Sequence, residues 1–416
     1  MATRRELLAA VAAWAWGDGA SASARDGPAR PGDGPGPAQS FAGAGSARPP
    51  ARPSGAGAAA ELAAAWDEPA GHRVGVLAAA TDGSLRIAVG LAVPTRAHGL
   101  LAEPDGRLLA VARRPGDWLL RWSRDGRRLQ EHWIEPDRAF NGHLLAGADG
   151  RLLYSSETDL ESGAGLVGVR DARTLERLAT WPTHGLDPHE LLWDADRSLL
   201  VANGGIPTRP ETGRAKRGLE RMDPSLVRLD PASGRLRGLW RLDDARLSVR
   251  HLARQGARTA IALQAEHDDP VRRAAAPVLA LFDGAQLRLA ETPPLPLAGY
   301  GGSVAGAAGR FFVGCPRAGG TGCWNADGGW LGFVPLAEAC PLAAHGGGVW
   351  SGGRDSGRWT PADTAGSSSA AGAAGPVGPG AGVPDRAVRG EPRGGVAALA
   401  PPLAGLRLDN HWIALG

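Results

Sequence analysis

Residues 183–205 read THGLDPHELLWDADRSLLVANGG, and the pair His189-Glu190 heads an apolar run that otherwise has the look of a buried strand. Polar groups at the start of such a strand make sense if that end faces a wet cavity. The arrangement recurs along the chain. A small or polar residue, a histidine, an apolar run, a Gly/Asp turn, a second apolar run and a polar loop follow one another in AHGLLAEPDGRLLAVARRPG (from Ala97), GHLLAGADGRLLYSSETD (from Gly142), PHELLWDADRSLLVANGG (from Pro188) and RHLARQGARTAIALQAEHDD (from Arg250). A fifth copy, GSVAGAAGRFFVGCPRAGG from Gly302, places Ser303 where the others have histidine.

Successive copies lie 45, 46, 62 and 52 residues apart, the longer steps containing insertions such as GGIPTRPETGRAKRGLERMDPS. Short strands, Asp-Gly turns and a repeat of this length indicate an all-β fold, the β-propeller. Later strands in each unit, as in WLLRWSRDGRRLQEHWI and SLVRLDPASGRLRGLWRL, fill out four antiparallel strands per blade. With a first unit around RVGVLAAATDGSLRIAVGL and a last from Cys340 to the C-terminus, seven blades are expected, with six or eight as alternatives. The dipeptide Trp193-Asp194 precedes the first turn and so is not a WD-repeat signature.

In such a blade the start of the first strand and the end of the second share one face, because the hairpin turns at the other. The histidines therefore gather at one mouth of the central channel, with Arg113, Glu157, Asn203, Gln264 and Arg317 from second-strand ends. Turns such as Asp105-Gly106 and Asp149-Gly150 mark the opposite face. His98, His143, His189 and His251 are candidate metal ligands, and Arg113, Glu157, Glu190, Asn203, Arg250, Gln264 and Ser303 are candidate ligand-binding residues around them. Imidazole suits iron, copper and zinc, with Glu190 or Glu157 as added oxygen ligands, so the expected cofactor is a transition metal such as iron or copper. On four consecutive blades the histidines form an arc, and sheets packed about 10 Å apart keep all four from one ion. Two neighbours with a carboxylate and water form the expected set. The alternatives are histidines that bond nearby carbonyls and stiffen the rim, or an acid/base or substrate-binding role. Strand alternation turns Arg250 and His251 to opposite faces, giving the arginine an inter-blade salt bridge or an anion-binding role.

Composition narrows the field. The 416 residues are 43% hydrophobic, enough for a sizeable core, and carry a formal charge of +3. Lys216 is the only lysine, and the arginines are scattered among acids without a basic stripe, which argues against nucleic acid as a partner. Residues 1–24 have the form of a twin-arginine signal peptide: Arg4-Arg5, an apolar stretch from Leu7 to Trp16 too short to span a bilayer, and the small residues Ala22-Ser23-Ala24. Residues 25–65 are expected to be a flexible Pro/Gly/Ala-rich linker, and 66–416 the propeller, with a disordered insertion at about 361–396. The mature chain then lies in the periplasm without a transmembrane segment. Cys315, Cys323 and Cys340 match no metal knuckle, and either one disulfide or none fits their number. No catalytic serine elbow, phosphate loop or covalent-haem motif is present.

The stretches VANGGIPTRPETGRAKRGLERMDPSL, AHGLLAEPDGR, FNGHLLAGADGRLLYSSETDLESGAGLVGV, DPHELL, LSVRHLA, YGGSVA and RLDNHW resemble the bacterial exported family called domain of unknown function 1513. The likeness covers most of residues 70–360 and the final ten. It implies a seven-bladed propeller exported to the periplasm, often encoded beside imelysin-like and di-haem proteins associated with iron uptake, which are the expected partners. It carries no catalytic residue. The two low-complexity stretches depart from the family layout and put the closure of the last blade against the first in question. The expected function is a binding or assembly component of a metal-acquisition system, with iron as the ion. The alternatives are a propeller enzyme, either a lactonase-like hydrolase or a quinoprotein-like oxidoreductase, and a protein-interaction scaffold without bound ligand.

Overall fold

The computed structural model describes residues 58–80, 84–207, 218–354, 356–363, 396–398 and 405–416. The readings of a signal peptide over 1–24 and of an insertion over most of 361–396 fall outside these residues. The linker expected to reach residue 65 stops earlier, because Ala58–Glu68 is already a strand paired on both edges.

Seven four-stranded antiparallel sheets form a β-propeller. Blade 1 combines the strands Ala58–Glu68, Gly71–Ala80 and Leu85–Val93 with the C-terminal strand Arg407–Leu415. Blades 2 to 7 follow in chain order, and their innermost strands are Ala97–Ala102, Arg138–Ala146, Pro188–Trp193, Leu247–Gln255, Ser303–Ala307 and Leu342–His345. The final strand therefore does not end the seventh unit. It becomes the innermost strand of the first, with Glu61 opposite Leu415 and Ala64 opposite Trp412, and so joins the two ends of the ring.

The unbroken apolar second strands are explained by where their alternate residues go. Side chains along a strand point to opposite faces. In LLAVA, Leu108, Ala110 and Ala112 pack against blade 1 while Leu109 and Val111 pack against blade 3. Leu199 and Val201 likewise face blade 3, and Leu200 and Ala202 face blade 5. A strand buried on both faces has no solvent side to mark with polar residues. Among the described residues the apolar core is thus divided into seven clusters, one at each junction between neighbouring blades. The blade 7–blade 1 junction is filled by Trp66, Trp350 and Trp412 with Leu62 and Leu85, so the closing contact is as well packed as the others. The three cysteines are free and buried, and burial pushes each thiol up to about 12.

Candidate metal centre

The histidine strands share a backbone feature. In blade 2 the pairing of inner and second strands jumps from Ala97–Ala112 to Leu100–Ala110, so three steps on the inner strand match two on its partner. Blade 4 makes the same jump from Pro188–Asn203 to Leu191–Val201, and blade 5 from Val249–Leu263 to Leu252–Ile261. Blade 3 takes four steps against two, from Phe140–Glu157 to Leu144–Ser155. Blade 1 does likewise, from Trp412–Ala64 to Leu408–Trp66. Each interruption contains a histidine: His98, His143, His189, His251 or His411. Blades 6 and 7 have no histidine at this place, and their inner ladders run without interruption from Ser303–Gly314 to Ala307–Arg310 and from Leu342–Ser351 to His345–Gly348. A bulge frees the extra residue from the ladder and re-aims its side chain. Here it turns five imidazoles toward the axis.

The five rings form a closed cluster. Neighbouring centroids are 4.5 Å apart for His411–His98, 5.0 Å for His98–His143, 4.5 Å for His143–His189, 4.6 Å for His189–His251 and 4.7 Å for His251–His411. The last contact spans the gap left by blades 6 and 7. Two triads, His98/His143/His411 and His143/His189/His251, each offer three ring nitrogens within 4.8 Å of one another. The four rings of the original set stand closer than flat packed sheets would place them, the widest pair, His98 and His251, having centroids 6.3 Å apart, while among the described residues the ring nitrogens converge in threes. Bulged strands near the axis come closer together than flat packed sheets.

The donors are neutral and largely unpartnered. Burial first, then neighbouring imidazoles and arginines, hold His98, His143 and His189 well below the usual histidine range, and bring His251 and His411 to about 3. Among the described residues the buried nitrogens Nδ1 of His98, Nε2 of His143, Nδ1 of His189 and Nε2 of His411 have no hydrogen-bond partner, Nδ1 of His98 only facing Oδ1 of Asp409 at 3.7 Å. Rim-stiffening histidines would have spent these atoms on backbone carbonyls. Nε2 of His189 and Nε2 of His251 lie 3.3 Å apart. A tetrahedral ion with metal–nitrogen bonds of about 2.0–2.1 Å sets its ligand nitrogens about 3.3–3.4 Å apart. Behind His251, Oε2 of Glu190 is 3.3 Å from Nδ1 and also accepts the Leu252 N–H at 2.8 Å. A carboxylate behind an imidazole fixes its tautomer and aims the other nitrogen at a metal. Desolvation raises the Glu190 carboxyl to about 7 even though 26% of its side-chain surface stays exposed.

A cavity of about 210 Å³ opens onto His98, His189 and His251. Its walls carry Arg113, Arg114, Arg250 and Arg317 with Gln264 and Tyr300. Arg250 and His251 line it together, so the expected alternation fails at this point; the bulge at Val249–Leu252 lets both side chains face the channel. Of the other sequence candidates, Arg113 and Gln264 are at the cavity and Glu190 supports His251. Glu157 is instead fully buried within blade 3, paired with Arg170 at 2.7 Å and Arg138 at 3.2 Å. Asn203 bonds the Thr183 carbonyl and Ser225 and holds a loop in place. Ser303 is buried on the regular inner strand of blade 6 and is not among the residues lining this cavity. His411, Arg114, Tyr300 and Asn410 belong to the site and were not among its sequence candidates. The signal for His411 was its setting, Asn410-His411 before an apolar run, which parallels Asn141-Gly142-His143.

A family model described as "Protein of unknown function (DUF1513)" matches residues 91–415. No curated protein matches the chain. Among solved structures, the hydrazine synthase of Kuenenia stuttgartiensis is similar with a TM-score of 0.52 at 14% identity, over 68% of this chain and 86% of that one. A virginiamycin B lyase from Staphylococcus aureus has a TM-score of 0.49 at 10% identity, over 70% and 92%. At 14% identity the likeness to the hydrazine synthase concerns the fold alone.

Proposed function

The chain belongs to the DUF1513 family of proteins of unknown function, so its chemistry has to be sought in the site, and we propose that it is a metalloprotein whose five central histidines hold a transition-metal centre. The observation that carries this reading is the set of converging imidazoles with buried, unpartnered ring nitrogens. Neutral nitrogen donors suit copper, nickel, zinc and iron, and among divalent ions the intrinsic affinity order favours copper. His251 and His189 supply the pair with tetrahedral spacing, Glu190 orients His251, and His143 belongs to both triads. In this reading the protein is exported and works in the periplasm, as its first 24 residues suggest. Service in iron acquisition beside imelysin-like and di-haem proteins rests on the family resemblance. The burial of the ring favours a resident centre over a cargo site that must release its ion.

The test is metal analysis of the full chain after loading with Cu(II), and separately with Fe(II) under reducing conditions, followed by desalting. At least one ion per chain is expected, with nitrogen hyperfine structure in the Cu(II) electron paramagnetic resonance spectrum. A folded His143→Ala/His189→Ala variant should lose the ion. Failure of the wild-type chain to retain either metal, or retention unchanged in the variant, would refute the assignment.

A further inference from the structure

The walls of the cavity above the imidazoles carry more positive charge than they neutralise. Arg114 and Arg250 share one carboxylate, Asp187, which lies 2.8 Å from Nη1 of Arg250. Asp409 is engaged by Arg96 and stands 3.8 Å from Arg113. Among the described residues Arg317 has no carboxylate within ion-pair distance; its guanidinium lies over the Tyr300 ring, 4.6 Å from the centroid. Four guanidinium groups therefore face one recess, with Asp187, the buried Glu266 acting on Arg250 and a partly committed Asp409 against them. Arg250 is only 7% exposed, so little water is left to solvate its charge, and it shares its single close carboxylate with Arg114. Concentrating like charge in a recess is unfavourable unless a ligand of opposite charge completes it.

We propose that this recess is the binding site for a small oxyanion, a short carboxylate or an inorganic anion of similar size, held by Arg113, Arg250 and Arg317 directly over the metal centre. This assignment deepens the metalloprotein reading and takes the metal as the floor of the same site. Guanidinium groups match two-oxygen anions through paired N–H donors. The volume of about 210 Å³ exceeds the roughly 150 Å³ that admits a benzene-sized molecule, which leaves room for a carboxylate of a few carbons. His98, His189 and His251 line the same space, so an anion seated between the arginines lies against the ligand set. Tyr300 and Gln264 add polar groups to the wall.

Isothermal titration of acetate and of inorganic phosphate into the metal-free chain tests the recess independently of the metal. Saturable binding of at least one anion is expected, weakened at least tenfold in Arg113→Gln/Arg317→Gln. Arg317→Gln alone breaks no carboxylate pair and serves as the variant least prone to misfolding. The preference between acetate and phosphate distinguishes the two ligand types. On the Cu(II)-loaded chain, the bound anion should shift the electron paramagnetic resonance spectrum, and the arginine variants should keep their copper but lose the shift. Absence of binding to a folded metal-free chain, or binding of equal strength in both variants, would overturn the anion site. Anion uptake by a chain that retains no metal would support the recess while refuting the metal centre, whereas a copper-loaded chain indifferent to both anions would do the reverse.

Discussion

Gly142 shows how closely single residues control the ring. Its φ of +99° suits glycine, and a Cβ there would come 2.7 Å from Cδ2 of His98. A Gly142→Ala substitution is expected to destabilise the fold by about 1–3 kcal/mol through strained backbone and crowding. It should also weaken metal retention, because the added methyl group crowds Cβ, Cγ and Cδ2 of His98 and so displaces that side chain. Thermal unfolding and metal content measured on the same sample check both effects; a variant with wild-type values in each would show that the ring tolerates the added methyl. The sequence displayed His98, His143, His189 and His251 as equivalent residues because each precedes an apolar run. It did not display Glu157 as structural, since its partners Arg138 and Arg170 are brought to it only by pairing within blade 3.

At the scale of the strand, the bulge is the device that makes a site. Every interruption of an inner ladder holds a histidine of the ring, and the regular inner ladders of blades 6 and 7 contribute none to it. Deleting Gly99 removes the single extra residue in blade 2 and should restore continuous pairing between Ala97 and Ala102. The altered register would turn His98 off the axis, and metal affinity should fall by more than about tenfold, the range seen for disturbed ligand support. Competitive chelator titration measures this, with a β-sheet circular dichroism spectrum as the folding control; unchanged affinity would mean that the bulge does not aim the ring. Strand order and turns were legible in the repeat because their residue types are local. The bulges were not, since register depends on a partner strand. That is also why Arg250 and His251 were assigned to opposite faces. His411 escaped notice for a related reason: its partner strand, Ala58–Glu68, lies at the other end of the propeller sequence.

The whole molecule depends on one joint. Arg407–Leu415 closes blade 1, and its Trp412 and Leu415 are buried at the junctions with blades 7 and 2. Ending the chain after Leu406 should lower the melting temperature by more than about 10 °C, a loss of several kcal/mol for a domain of this size. It should also expose the edge of Ala58–Glu68 to association between chains. Differential scanning calorimetry and light scattering test the two outcomes, and a truncated chain that stays monomeric with an unchanged transition would show that the other junctions suffice.

The same terminal strand carries His411 into the ring of imidazoles. An ion bound by the His98/His143/His411 triad would thus act as a rivet through the clasp, tying the last strand to blades 2 and 3 by coordination as well as by its hydrogen-bonded edge. Pulling on the C-terminal end would have to strip a ligand and unzip a ladder in one event. Mechanical strength and metal occupancy would then be two readings of one quantity.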